Sequence, residues 1–241
     1  MTQITWLGHA TFELRFESGE VLVTDPWIEG NPAYPKGYKL KRVDAISISH
    51  AHFDHANDVI PLASQFQPKV VAIFETASWL EKKGVKNTVG INKGGTVDLG
   101  FVKLTMTHAL HSCSIKDGDQ LIYGGEAAGY VLTLKDGRKA YFAGDTAVFS
   151  DMALIADLYQ PELAFLPIGD HFTMGPEQAA LAARLLKVKR IIPMHWGTFP
   201  ALTGTPEKLT AALQGQDVQV WTLQKGEPAQ WSEAASSTSA R

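Results

Sequence analysis

The chain of 241 residues has a single cysteine, Cys113, which excludes an intramolecular disulfide and fits a reducing compartment. No apolar run approaches the roughly 20 residues needed to span a bilayer. Met1 to Trp6 lack a basic stretch followed by an apolar one, so no secretory signal is expected and the cytoplasm is the expected location. Charge surplus is also missing. Twenty-two Lys and Arg against 25 Asp and Glu leave a net charge of −3, without the basic footprint of a general nucleic-acid binder. The local basic stretch Lys36, Lys39, Lys41 and Arg42 reads as a solvated loop. No linker rich in Ser, Gly and Pro splits the middle, so residues 1–231 are expected to form one domain. The Ser- and Ala-rich tail, residues 232–241, is expected to be disordered.

What is present is concentrated in one stretch, His50-Ala51-His52-Phe53-Asp54-His55. It follows Val43 to Ser49, an apolar run with the length and β-branched content of a buried strand. Three imidazoles and a carboxylate within six residues make poor packing, because burying them without partners costs several kcal/mol. They make good ligands for zinc, iron or manganese. Random placement of the chain's His and Asp would yield this pattern roughly 5 × 10⁻⁴ times, so accident is a weak explanation. In an extended turn His50 and His52 point to one side, while Asp54 and His55 fall where the chain should curl into a helix. Two adjacent cations suit that spread better than one.

The remaining chain alternates strands and helices. Strands are expected at residues 4–6, 11–16, 21–24, 70–74, 97–99, 101–110, 129–134, 138–142, 163–166, 190–193 and 218–223. Helices are expected at 58–66, 75–83, 152–158, 175–186 and 206–213, the fourth with Pro176 at its start. Residues 29–42, rich in Gly, Pro, Tyr and Lys, form a loop long enough either to cover the site and contact an anionic group or to serve as an oligomer contact. This order suggests sheets packed between helix layers, an α/β architecture. All eight histidines (His9, His50, His52, His55, His108, His111, His171 and His195) fall at strand ends or in loops, where sites gather.

With these motifs the chain resembles the metallo-β-lactamase superfamily. The resemblance is carried by His50 to His55, a later lone His, Ala143-Gly144-Asp145-Thr146 and the strand-end His195. Trp6-Leu7-Gly8-His9-Ala10, Asp25-Pro26, His111-Ser112-Cys113-Ser114, Phe165 to Asp170, Phe172 to Pro176 and Pro193-Met194-His195-Trp196 narrow it further. They resemble the bacterial and archaeal metal-dependent hydrolases related to ascorbate-6-phosphate lactonases. The resemblance implies a four-layer αββα sandwich with a dinuclear centre at one edge of the sheets.

Carried over residue by residue, it implies that His50, His52 and His111 hold one metal and that Asp54, His55 and His195 hold the other, with Asp145 bridging. Two divalent ions are implied, zinc first, with manganese or iron as alternatives. His108 competes with His111 for the lone position; His111 is chosen because Ser112-Cys113-Ser114 follows the family's His-Ser-Ser pattern, Cys113 being a departure. His108 is then a pocket residue or merely a strand-end histidine. Asp25 matches a carboxylate that orients ligands, and His9 and His171 are expected to face the metals. The implied activity is hydrolysis of an ester, lactone or phosphoester by a bridging hydroxide. Asp54 and His171 are the catalytic candidates, His171 for protonating the leaving group or holding the substrate. The expected partner is a small, anionic substrate, with a homo-oligomer left open. An iron-dependent dioxygenase of the same fold and a nuclease are the rival activities, and a metal-stabilised scaffold the rival without one. Bound iron with oxygen consumption would separate the first of these from hydrolysis.

Overall fold

The structure is a computed structural model and describes residues 1–232, so the expectation for the tail beyond Ser232 lies outside the described residues. The first half of the chain carries β1 (Thr2–Trp6), β2 (Phe12–Arg15), β3 (Val21–Thr24), β4 (Ala45–Ser47), α1 (Phe53–Ala56), α2 (Val59–Phe66), β5 (Lys69–Ile73), α3 (Phe74–Lys82) and β6 (Thr88–Ile91). The second half carries β7 (Thr96–Asp98), β8 (Val102–His108), β9 (Ser114–Asp117), β10 (Gln120–Tyr123), β11 (Ala128–Leu134), β12 (Lys139–Phe142), α4 (Met152–Tyr159), β13 (Leu163–Pro167), α5 (Pro176–Leu186), β14 (Arg190–Met194), α6 (Pro206–Ala212), β15 (Gln219–Val220) and β16 (Pro228–Trp231).

Two seven-stranded sheets result, in the orders β16-β1-β2-β3-β4-β5-β6 and β15-β14-β13-β12-β11-β8-β7, with β9 and β10 pairing only each other. Strand periodicity explains the layering. In β3 and β5, Leu22 and Val71 face the second sheet, while Val21, Val23, Val70 and Ala72 face the other way, against Val59, Leu62, Ala77 and Leu80 of α2 and α3. Across the sheet interface Phe12 meets Phe165 edge-on with ring centroids 4.9 Å apart. The Tyr130 hydroxyl crosses the same interface and donates to the Ile48 carbonyl at 2.9 Å. Residues of α4, α5 and α6 join the core from the second sheet's side. The expected αββα sandwich is found.

Local chemistry sets the helix ends. Gly175 and Pro176 open α5; Thr205, which accepts from the Lys208 amide at 3.3 Å, and Pro206 open α6. Sequence periodicity misses β6, β16 and the β9–β10 hairpin. The first contains Gly90 and is half-exposed, the second starts at Pro228, and the third has strands of only four residues in which polar and apolar positions keep no common period. None of the three carries the strong alternation that marks a half-buried strand.

Strand direction positions the site. β3, β4 and β5 run parallel, as do β12, β13 and β14. β1 is related to β3 through antiparallel β2, and β8 to β12 through antiparallel β11, so their carboxyl ends also lie at the same edge of their sheets. Loops leaving parallel strands at that edge are where α/β sheets build sites. No helix among the described residues is long and apolar enough to cross a membrane.

Candidate metal centre

Each candidate ligand leaves a strand at this edge: His9 after β1, Asp25 after β3, His50 after β4, His111 after β8, Asp145 after β12 and His195 after β14. Among residues other than glycine, positive φ occurs at His9 (55°), Asp25 (40°), Asp170 (66°), His171 (58°) and His195 (56°). Three others, Gln67, Gln160 and Lys187, are left-handed helix ends. The first five sharpen the bend out of their strands, a backbone conformation that concentrates at functional sites.

The side chains converge in groups whose ligand atoms lie within 4.8 Å of one another: His50, His52 and His111; His9, Asp54, His55 and His195; and Asp25, His50 and His55. Asp145 ties the first two together. Its Oδ2 is 3.9 Å from His50 Nε2, 3.7 Å from His111 Nε2, 3.3 Å from His55 Nε2 and 3.0 Å from His195 Nε2. Asp54 Oδ2 stands 3.1 Å from His9 Nε2, 3.8 Å from His55 Nε2 and 3.7 Å from His195 Nε2. His55 and the short turn α1 stand where the motif predicts the chain to curl.

Asp25 belongs to the third group but is committed elsewhere. Its Oδ1 accepts the Ser49 amide at 2.7 Å, and its Oδ2 accepts the Ser49 hydroxyl at 2.5 Å and the His55 Nδ1–H at 2.8 Å. It therefore positions His55, leaving Nε2 to face the cluster. Ser49 Oγ also meets His50 Nδ1 at 3.1 Å, and Thr198 Oγ1 meets His9 Nδ1 at 2.6 Å. Sequence reasoning misses Ser49 and Thr198. Ser49 had a signal, its place beside His50 at the strand end; Thr198 had none, since only the fold brings it to His9.

Electrostatics follow from burial. Burial holds the imidazoles of His50, His52 and His111 neutral, with His55 adding to the effect. It also lowers His9, to about 3, with help from His195. Burial opposes charge on His195 as well, but the carboxylates of Asp145 and Asp54 overcome it and raise its pKa to about 9. His55 is likewise raised, burial being outweighed by Asp145, Asp54 and Asp25. Asp145 and Asp54 stay ionised despite burial because His195 and His55 face them. Yet His55 Nε2, Asp145 Oδ1 and both ring nitrogens of His195 are buried without a hydrogen bond. Neutral imidazoles, two carboxylates and orphaned buried polar atoms are the donor chemistry of divalent metal sites, so these residues fit such ions.

A cavity of about 640 Å³ opens onto His52, Asp54, His111, Asp145 and His195. Of the three histidines outside the implied ligand set, none lines the cavity. His9 is buried within the group of Asp54, His55 and His195, its Nε2 turned to Asp54, and does not line the cavity. His171 is exposed and does not line the cavity; the neighbouring Phe172 does, because the chain bends through positive φ at both Asp170 and His171. His108, of its two alternatives, is the strand-end histidine: it closes β8, is exposed beside Lys93, whose amine donates to its Nδ1 at 3.0 Å, and stands apart from the cluster. Nor does the loop 29–42 reach the cavity. Ala33 packs under Gly8, and the Tyr38 hydroxyl donates to Glu13 at 2.9 Å, which ties the loop against β1 and β2.

The β-lactamase superfamily domain matches residues 21–196 of the chain. A protein of Solibacter usitatus named a UPF0173 metal-dependent hydrolase is 64% identical over 229 residues, 95% of this chain and 100% of its own. Its counterpart in Koribacter versatilis is 54% identical, over 90% of this chain and 93% of its own. Among solved structures, Igni18, a metallo hydrolase from the archaeon Ignicoccus hospitalis, superposes with a TM-score of 0.82 at 31% identity, over 95% of this chain and 97% of its own.

Proposed function

The chain belongs to the β-lactamase superfamily, among its metal-dependent hydrolases, and from that premise we propose that it uses two divalent cations to hydrolyse an ester, lactone or phosphoester bond. His50, His52 and His111 would hold one cation; Asp54, His55 and His195 would hold the other. Asp145 would serve both. Bound there, such ions supply a water of lowered pKa and stabilise the negative charge that develops on the substrate.

The observation that carries this reading is the position of Asp145 Oδ2, within 3.9 Å of ring nitrogens from four histidines that belong to both groups. The chain's own residues prepare the site in advance. Asp25 and Ser49 fix the rings of His55 and His50. Thr198 anchors His9, whose Nε2 holds the Asp54 carboxylate. Phe53, Phe172 and Phe199 line the cavity beside the cluster.

The test is elemental analysis of protein purified without an affinity metal, beside His50→Ala and Asp145→Ala. About two equivalents of zinc or manganese, lowered in both variants, are expected. Failure to retain metal under metal-replete conditions would overturn the reading. Predominant iron with oxygen consumption would replace it with redox chemistry.

A further inference from the structure

The hairpin of β9 and β10 belongs to neither large sheet, and its two faces differ. On one face Ile115 and Ile122 pack against Ala51, Cys113 and Trp79, directly beneath the His50-to-His55 stretch. The opposite face carries Ser114 and Lys116, paired across the ladder with Tyr123 and Leu121. Leu121 is 75% exposed and Tyr123 69% exposed, although the hairpin already has a buried face for its apolar residues. Leu121 and Lys116 line the cavity that opens on the ligand cluster.

The facing wall is also apolar. Phe53, Phe172, Phe199 and Pro200 come from α1 and from the loops after β13 and β14. Phe53 and Phe172 are each 53% exposed. Away from the histidines and aspartates, Lys116 is the one cation among the lining residues. Apolar surface left open at a site's mouth marks a binding region, because it is costly to leave in water. A pocket with apolar walls and few polar groups orients a ligand by its polar end.

We propose that the substrate carries an apolar acyl group, seated between Leu121 on the hairpin and Phe53, Phe172 and Phe199 opposite, with its ester or lactone carbonyl at the His52, His111 and Asp145 end. This inference rests on the hydrolase reading and narrows it to carboxylic esters and lactones. The reaction breaks the acyl C–O bond. The oxygen of water joins the acyl carbon, and a water proton goes to the departing alkoxide, giving a carboxylic acid and an alcohol. The walls beyond the ligand cluster are apolar and match a hydrocarbon chain, leaving Lys116 to meet one polar or anionic group of the substrate at the mouth.

Two measurements on the metal-loaded protein test this. The first is turnover of p-nitrophenyl acetate, hexanoate and decanoate beside p-nitrophenyl phosphate; the second is calorimetric binding of acetate, hexanoate and decanoate. Both kcat/KM and affinity should rise with chain length, by up to about fourfold per enclosed methylene. The slope should flatten in Leu121→Ser and Phe172→Ser, whose exposed positions leave the core untouched. Turnover that ignores chain length, or favours the phosphate, overturns the acyl site while leaving the hydrolase standing. Chain-dependent binding without turnover of any ester supports the apolar seat and overturns the hydrolase reading. Decanoate bound no more tightly than acetate ends the proposal outright.

Discussion

Asp25 and His55 are both closed off from solvent, and the Asp25 carboxylate holds His55 by its Nδ1–H at 2.8 Å. The pair turns a flexible imidazole into a fixed donor, because the bond sets both the tautomer and the ring plane. Asp25→Asn keeps the shape and removes the charge. Metal affinity at the Asp54, His55 and His195 group is expected to fall about 10- to 100-fold. A chelator competition titration reads this directly; unchanged affinity would mean that Asp25 merely fills space.

Asp145 and His111 should behave differently when removed. His111 joins one group, whereas Asp145 Oδ2 faces nitrogens of both. His111→Ala is expected to lower the metal content by about one equivalent and Asp145→Ala by more than one. Elemental analysis of the two variants side by side decides it. Equal losses would contradict the bridging position.

Metal uptake should release protons at neutral pH. In the metal-free protein Asp145 and Asp54 hold His195 at about 9, against the usual 6.5. The folded state therefore binds the extra proton between these values. Its contribution to stability is fully present below 6.5 and is lost as pH rises through 9. A ligating imidazole must give up that proton, so binding at pH 7.5 should acidify an unbuffered solution. Release should shrink above pH 9. A stopped-flow pH indicator measures it, and the metal-free protein should melt at lower temperature at pH 9.5 than at pH 7.

Gly169 sets the distance between two strand ends. A Cβ there would stand 2.1 Å from the His195 carbonyl oxygen, a backbone atom that cannot swing away. Gly169→Ala is expected to cost about 1–3 kcal/mol through forced displacement. It should also weaken metal binding by moving His195. Thermal unfolding of the metal-free and metal-loaded forms separates the effects; a wild-type melting temperature would show that the strand ends yield freely.

Much of the site was legible because its ligands come in dense local patterns. His50, His52, Asp54 and His55 sit within six residues, and such a cluster has no good explanation in packing. His111, Asp145 and His195 were legible only through the order of their motifs, since nothing local ties residues so far apart. His171 shows the limit. Its neighbours resemble a family motif, but two consecutive residues in the left-handed region turn the loop, and Phe172 meets the cavity instead. The hairpin carrying Leu121 was missed for a related reason. Its strands are only four residues each, and their apolar face, Ile115 and Ile122, is buried against the His50 segment beneath them.

The sequence by itself determined the ligand types, their strand-end placement and the alternation that builds two sheets between helices. These are local properties, written in residue chemistry and in periods of two and 3.6. Only the tertiary structure decided that Asp145 lies between two histidine groups, that Thr198 supports His9, and that an apolar wall faces a nearby hairpin. Each of these depends on where separate strand ends arrive. That is set by sheet order and packing across the whole chain, and no window of sequence contains it.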